Sequence, residues 1–306
     1  MTTPLHLANW SGPAVVEQCR FAYHAYRDAK TRSYQAYFAG KPGLRAEDHA
    51  YKARDIGAAL PEGWSRLAEL LPKSERHLHH LSGNSSQVLA LGLLGVAAER
   101  EPSLRWLWDG LGPLPPPKSV RPDWQFERKL AREVLGEQPR QTSIDLLVDD
   151  PAALLCIECK WTETGIGACS CGKNAATIAD CGKTVLARDR YWQVASEVFH
   201  LPERRPGEPC PLSFTYQAVR NVAAALALAR PDQEPVFGLI YDAENPYFSG
   251  CGAWRGWPAA LHATLDAVDA PVRFVAISWQ ELLPLLPLDS ATVTWASEKH
   301  GLSQSA

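Results

Sequence analysis

The chain carries Ser143-Ile-Asp145-Leu-Leu-Val148, then Asp149-Asp-Pro-Ala152, then Leu154-Leu-Cys-Ile-Glu158-Cys-Lys160-Trp161. Two short apolar runs flank a cluster of turn-forming residues, which is the pattern of a β-hairpin. Side chains alternate along a strand, so Cys156, Glu158 and Lys160 share one face, and Ile157, Cys159 and Trp161 the other. Pairing sets Asp145 against the first face. Two carboxylates and one ammonium thus converge on a sheet surface. That spacing also suits a cross-strand ion pair on a wet face. The rest of the second run is apolar (Leu154, Leu155, Ile157), and charge in such a strand is costly unless it serves a purpose. Hard divalent cations prefer carboxylate oxygens, and Mg²⁺ takes only one or two of them from a protein. Such a cation stabilises charge on phosphoryl oxygens, and an ammonium beside it neutralises more. The chemistry therefore points to phosphodiester hydrolysis.

Downstream, Arg190 to Phe199 and Phe214 to Ala229 read as helices. Pro235 to Tyr241 and Val272 to Ser278 read as strands, and Trp279 to Leu286 as a short helix. A hairpin followed by alternating helices and strands predicts an α/β sandwich around a mixed sheet. Upstream, Ser82-Gly-Asn-Ser-Ser-Gln87 is rich in helix-start residues and precedes an apolar run from Val88. This predicts a capped, largely buried helix. Cys19 to Tyr37 and Gly63 to Leu71 add helical patterns, so the first hundred residues read as mostly helical. A stretch with four prolines, Leu111 to Pro117, separates the two regions. Asp123 to Gly136 stays open between helix and strand, because Phe126, Leu130 and Val134 fit both periods.

The chain has 306 residues and a net charge of −3. No global basic field draws it to nucleic acid, so such a partner needs a local patch, for which Arg128, Lys129, Arg132 and Arg140, with Lys173, Lys183, Arg188 and Arg190, are candidates, unless they form an ordinary solvated surface. No run reaches the roughly 18 apolar residues of a membrane helix, and no signal peptide is visible. The expectation is a cytoplasmic protein with no membrane partner. Eight cysteines there read as thiols or metal ligands.

Four elements taken in order resemble the PD-(D/E)XK nuclease superfamily, which has the restriction-endonuclease-like fold. They are the Ser85-Ser86-Gln87 helix start, Ser-Ile-Asp145, the run Ile-Glu158-Cys-Lys160-Trp-Thr-Glu163, and Tyr216-Gln217-Ala-Val-Arg220-Asn221. The likeness spans roughly Leu81 to Leu286 and is greatest to an uncharacterised bacterial branch. It implies a core with a central mixed sheet flanked by helices, Mg²⁺ (or Mn²⁺) dependence and a DNA substrate. It assigns Asp145 and Glu158 to the metal and Lys160 to catalysis. Ile144 stands where the proline that names the motif would be. The resemblance also implies an early glutamate, either Glu127 or Glu133. Gln217 joins the catalytic set, while Arg220, Asn221 and Gln87 are candidates for nucleic-acid contact. Gln217, Arg220 and Asn221 share a helical face, which suits contact with a phosphate, with the carboxylates, or with the sheet as a polar seam. The expected organisation is a mostly helical region over 1–110, whose last helix (about 85–100) packs on the core. A nuclease-like domain follows over 118–290, with a cysteine-containing insertion at about 165–212.

Cys169, Cys171, Cys181 and Cys210 follow the hairpin and suggest a structural Zn²⁺ or iron–sulfur site, although their spacing is not that of a zinc finger. Cys19 and Cys251 have no visible partner. His77, His79 and His80 read as solvated. The competing function is a non-catalytic nucleic-acid-binding module, or a zinc-stabilised interaction protein, on the same fold.

Overall fold

A computed structural model of the chain describes residues 12–39, 44–47, 50–53, 55–75, 83–136, 141–167, 191–200, 215–267 and 269–302. The four cysteines of the candidate insertion site and the three histidines lie outside these residues. A long helix, α1 (Gly12–Ala39), leads into a small antiparallel hairpin, β1 (Leu44–Glu47) and β2 (Ala50–Ala53). The helical reading of the first hundred residues did not include this hairpin. After short helical turns at Ile56–Ala59, Ser65–Leu70 and Lys73–Glu75 comes α2, made of contiguous α, π and α segments at Ser86–Ala90, Leu91–Gly95 and Val96–Arg100. Ser85 caps it by accepting the Val88 N–H.

The main sheet has the order β3-β4-β5-β6-β7, with strands Asp123–Lys129, Ser143–Asp149, Ala153–Cys159, Glu234–Tyr241 and Arg273–Ser278. The first three strands are antiparallel neighbours and the last three are parallel. This is the α/β architecture, with a mixed sheet flanked by helices, expected of a restriction-endonuclease-like core. The ambiguous segment divides between the two readings: its first half is β3 and Arg132–Leu135 is a short helix. The β4–β5 turn closes through reciprocal Asp150 and Ala153 backbone bonds. Buried Asp150 also accepts the Lys118 and Ser119 N–H groups, which ties the proline-rich stretch to the hairpin.

Alternation along β5 does what the sequence pattern requires. Leu155, Ile157 and Cys159 enter one hydrophobic core with α2. Leu154 and Cys156 enter the other with α3 (Tyr216–Leu228), which contributes Val219 and Val222. Two short helices follow, α4 (Pro246–Ser249) and α5 (Trp257–Ala267). The described chain ends with α6 (Ser290–His300), which packs on α1. No described helix is long and apolar enough to cross a membrane.

Candidate active site

β5 runs straight into the site. Its pairing with β6 continues one residue past the strand, where Lys160 N–H donates to Ile240 O at 2.7 Å. Across from it, Asp145 extends the β4–β5 register that pairs Leu146 with Ile157. Its Oδ2 accepts the Cys159 N–H at 2.8 Å. Asp145 therefore stands on the same sheet face as Glu158, and the two line one cleft of about 540 Å³ with Lys160, Gln217, Glu163 and the start of α2.

Glu158 and Lys160 are both buried. Asn221 Nδ2 donates to Glu158 Oε2 at 2.6 Å. Glu158 Oε1 has no hydrogen-bond donor aligned on it, and the Lys160 ammonium stands 2.6 Å away. Lys160 Nζ also donates to Gln217 Oε1 at 2.8 Å. Gln217 and Asn221, one turn apart on α3, thus grip the two central charged groups. Arg220 turns aside: its Nε donates to Thr142 Oγ1 at 3.1 Å, and another guanidinium nitrogen reaches Ser143 O at 3.3 Å.

Of the two candidate early acids, Glu127 is the one whose charge acts on Asp145. It is buried in mid-β3 with φ +47°. A left-handed conformation at a non-glycine residue inside a strand is strained and needs compensation. Gln87 Nε2 holds Glu127 Oε1 at 2.5 Å, and Ser143 Oγ holds Oε2 at 2.8 Å. Glu133 is exposed on the short helix that follows. Gln87 thus sits on an acid of the cluster. Arg128, Lys129 and Arg132 lie exposed nearby in sequence.

The electrostatics are lopsided. Removal from water, then the Glu158 and Glu127 charges, hold the Asp145 carboxyl well above the usual range, against the opposing pull of Lys160 and the Cys159 N–H. Asp145 keeps partial access to the cleft, but its surroundings are protein on most sides. Burial alone would lower the Lys160 pKa. Glu158, Glu163 and Asp145 outweigh it and hold the ammonium above its ordinary value. The ion pair with Glu158 thus favours the charged ammonium. Among the described residues no three His, Cys, Asp or Glu side chains form a ready metal cage. Two carboxylates facing an open cleft, one with an unaligned oxygen, are nevertheless the donor set that suits Mg²⁺. The crowding that raises Asp145 is what a divalent cation would relieve.

The segment after Lys160 is irregular, yet its carbonyls are held by side chains from across the fold. Trp279 Nε1 donates to Lys160 O at 2.9 Å, and Tyr26 OH to Trp161 O at 2.8 Å. Tyr23 OH donates to Thr162 O at 2.6 Å. Asn245 Nδ2 bridges Trp161 O and Glu163 O, and Trp257 Nε1 reaches Thr164 O. Pinned this way, Glu163 accepts Ser86 Oγ at 2.6 Å and the Trp161 N–H at 2.8 Å. Sequence reading gave Tyr23, Tyr26, Asn245, Trp257 and Trp279 no role in the site. Tyr23 and Tyr26 stand three apart on α1, which marks one helix face, but nothing local names the carbonyls they meet.

A family model described as Restriction Endonuclease associating with ARP matches residues 24–298. Neither a curated protein nor a solved structure matches the chain.

Proposed function

The chain belongs to the family described as restriction endonucleases associating with ARP, and from that premise we propose that it hydrolyses phosphodiester bonds of DNA with a divalent metal. The observation that carries this is the convergence of Asp145, Glu158 and Lys160 at the floor of one open cleft. In this reading Asp145 and Glu158 hold Mg²⁺ or Mn²⁺. Such an ion, when bound, stabilises phosphoryl charge and acidifies water. Lys160 supplies a permanent positive charge toward the phosphate, and Gln217 keeps its ammonium in place. Asn221 orients Glu158, while Gln87 and Ser143 hold Glu127 beside the two acids. Arg220 braces the start of β4.

Three further readings rest on the same proposal. Residues 118–290 form the nuclease-like domain, with 1–110 as a region supporting it. Cys169, Cys171, Cys181 and Cys210 hold a structural Zn²⁺ or iron–sulfur cluster, which metal analysis of the purified protein would detect. The association with ARP in the family description extends to this chain and is open to co-purification. The catalytic reading is tested by incubating the protein with plasmid DNA. Nicking or linearisation in Mg²⁺ or Mn²⁺, abolished by a chelator, is expected. Intact plasmid in both metals would favour a binding module on the same fold.

A further inference from the structure

Cys19 and Cys251 come from opposite ends of the chain and meet at the contact of α1 with the loop after α4. The two thiols are neighbours across this contact. Each sulfur also lies against the backbone of the other's element: Cys19 Sγ is 3.7 Å from Pro246 O, and Cys251 Sγ is 3.6 Å from Gln18 O. Neither is in a disulfide. Cys19 is fully buried and Cys251 is partly exposed. Cys251 sits in a tight turn closed by its own bridge to Trp254 and followed by Gly252 at φ +61°. Its backbone position is therefore fixed while its sulfur still meets solvent.

We infer that Cys19 and Cys251 form a redox-reversible disulfide that fastens α1 to the core. The oxidant is a small-molecule disulfide. The Cys251 thiolate attacks one of its sulfurs, releasing one small thiol and leaving a mixed disulfide on Cys251. Cys19 then attacks the Cys251 sulfur, gives up its proton and releases the second small thiol. Two protein thiols and one small disulfide become one protein disulfide and two small thiols. The order of steps follows from placement. Burial above all, and then Cys251, push the Cys19 thiol up to about 12, so Cys19 is the resolving partner and exposed Cys251 the attacking one.

The bond would matter beyond its own neighbourhood. α1 carries Tyr23 and Tyr26, which hold Thr162 O and Trp161 O directly behind Lys160. The Cys251 loop follows Asn245, which holds Trp161 O and Glu163 O of the same segment. A covalent tie between these two supports fixes the frame of that segment. The inference stands whether or not the cleft is a nuclease site.

The test uses the full chain, reduced and then equilibrated with oxidised glutathione, followed by alkylation and peptide mapping. A peptide linking Cys19 to Cys251 is expected, with melting raised on the order of 5 °C or more over the reduced form. Cys251→Ser sits at a partly exposed position and tolerates the change. It should melt like the reduced parent and lose the oxidant-dependent rise. Recovery of both residues as alkylated thiols would overturn the inference. So would a stable glutathione adduct on Cys251, or linkage of either residue to another cysteine. A linked peptide with no rise in melting would contradict the fastening of α1.

Discussion

Gly167 gives Gln217 its place: a Cβ at Gly167 would lie 2.4 Å from both Cγ and Oε1 of Gln217. The backbone there has φ +68°, a region that favours glycine. Its carbonyl accepts the Tyr216 N–H, and Ile166 O accepts the Gln217 N–H, so the loop also seats the start of α3. Gly167→Ala should push Gln217 off Lys160 and lower turnover roughly 10- to 100-fold, since an ångström of misplacement has that order of effect. A double-mutant cycle checks the route. In a Gln217→Ala background the Gly167 substitution should lower turnover much less, because the colliding atoms are gone. Equal losses in both backgrounds would place the effect in folding.

The two candidate early acids differ in burial and partners. Glu127 is buried and bonded to Gln87 and Ser143, whereas Glu133 is exposed. Glu127→Gln should cut DNA cleavage by at least about tenfold, the scale of losing one preorganised electrostatic group. Glu133→Gln should leave it unchanged. Steady-state cleavage by the two variants decides between them.

Crowded carboxylates set a pH dependence on metal-free stability. Asp145 is raised in the folded state, chiefly by burial and then by Glu158 and Glu127. The folded chain therefore binds this proton more tightly than the unfolded chain. The contribution is fully present below the unfolded carboxyl value, near ~4, and is lost as pH rises through the higher folded value. Metal-free protein should melt lower as pH rises across that window. Asp145→Asn should flatten the slope and raise melting at neutral pH. Addition of Mg²⁺ at neutral pH should restore stability to the parent and do little for Asp145→Asn. Melting curves between pH 4 and 8, with and without Mg²⁺, make the comparison.

A second pH effect, of opposite sign, arises near the C-terminus. His300 is buried between the Trp161 and Trp295 rings, and neither ring nitrogen has a hydrogen-bond partner among the described residues. Burial first, then Lys299 and Lys30, hold its pKa well below the ordinary value. Its contribution is full above about 6.5 and is lost as pH falls from there toward the folded value. His300→Phe keeps the ring packing and removes two unsatisfied nitrogens. It should stabilise the protein by about 1–3 kcal/mol and reduce acid lability below about pH 6.5. Chemical denaturation at pH 7.5 and 5.5 would show both effects.

The hairpin was readable because its information is local. Alternation in Leu154–Trp161 placed Glu158 and Lys160 on one face, and the Asp149–Ala152 turn put Asp145 opposite. The cap at Ser85 and the polar seam of Gln217 and Asn221 were legible for the same reason: one element's period displays them. Glu127 was ambiguous because its strand contains a left-handed residue that breaks the period. The β1–β2 hairpin is only four residues a side and has little pattern to read. The grip of Tyr23, Tyr26 and Asn245 on the Trp161–Glu163 carbonyls was invisible. So was the meeting of Cys19 with Cys251. Contacts between distant segments leave no mark on local spacing, and a carbonyl acceptor is present at every residue.

The most direct test of the central claim is a paired measurement on Glu158→Gln: plasmid cleavage in Mg²⁺, and binding of the same DNA. The substitution keeps shape and the Asn221 contact region while removing the ligand charge. Cleavage should fall by roughly a hundredfold or more, with DNA affinity unchanged or tighter as carboxylate–phosphate repulsion is lost. Undiminished cleavage by Glu158→Gln, in a preparation free of contaminating nuclease, would contradict the account.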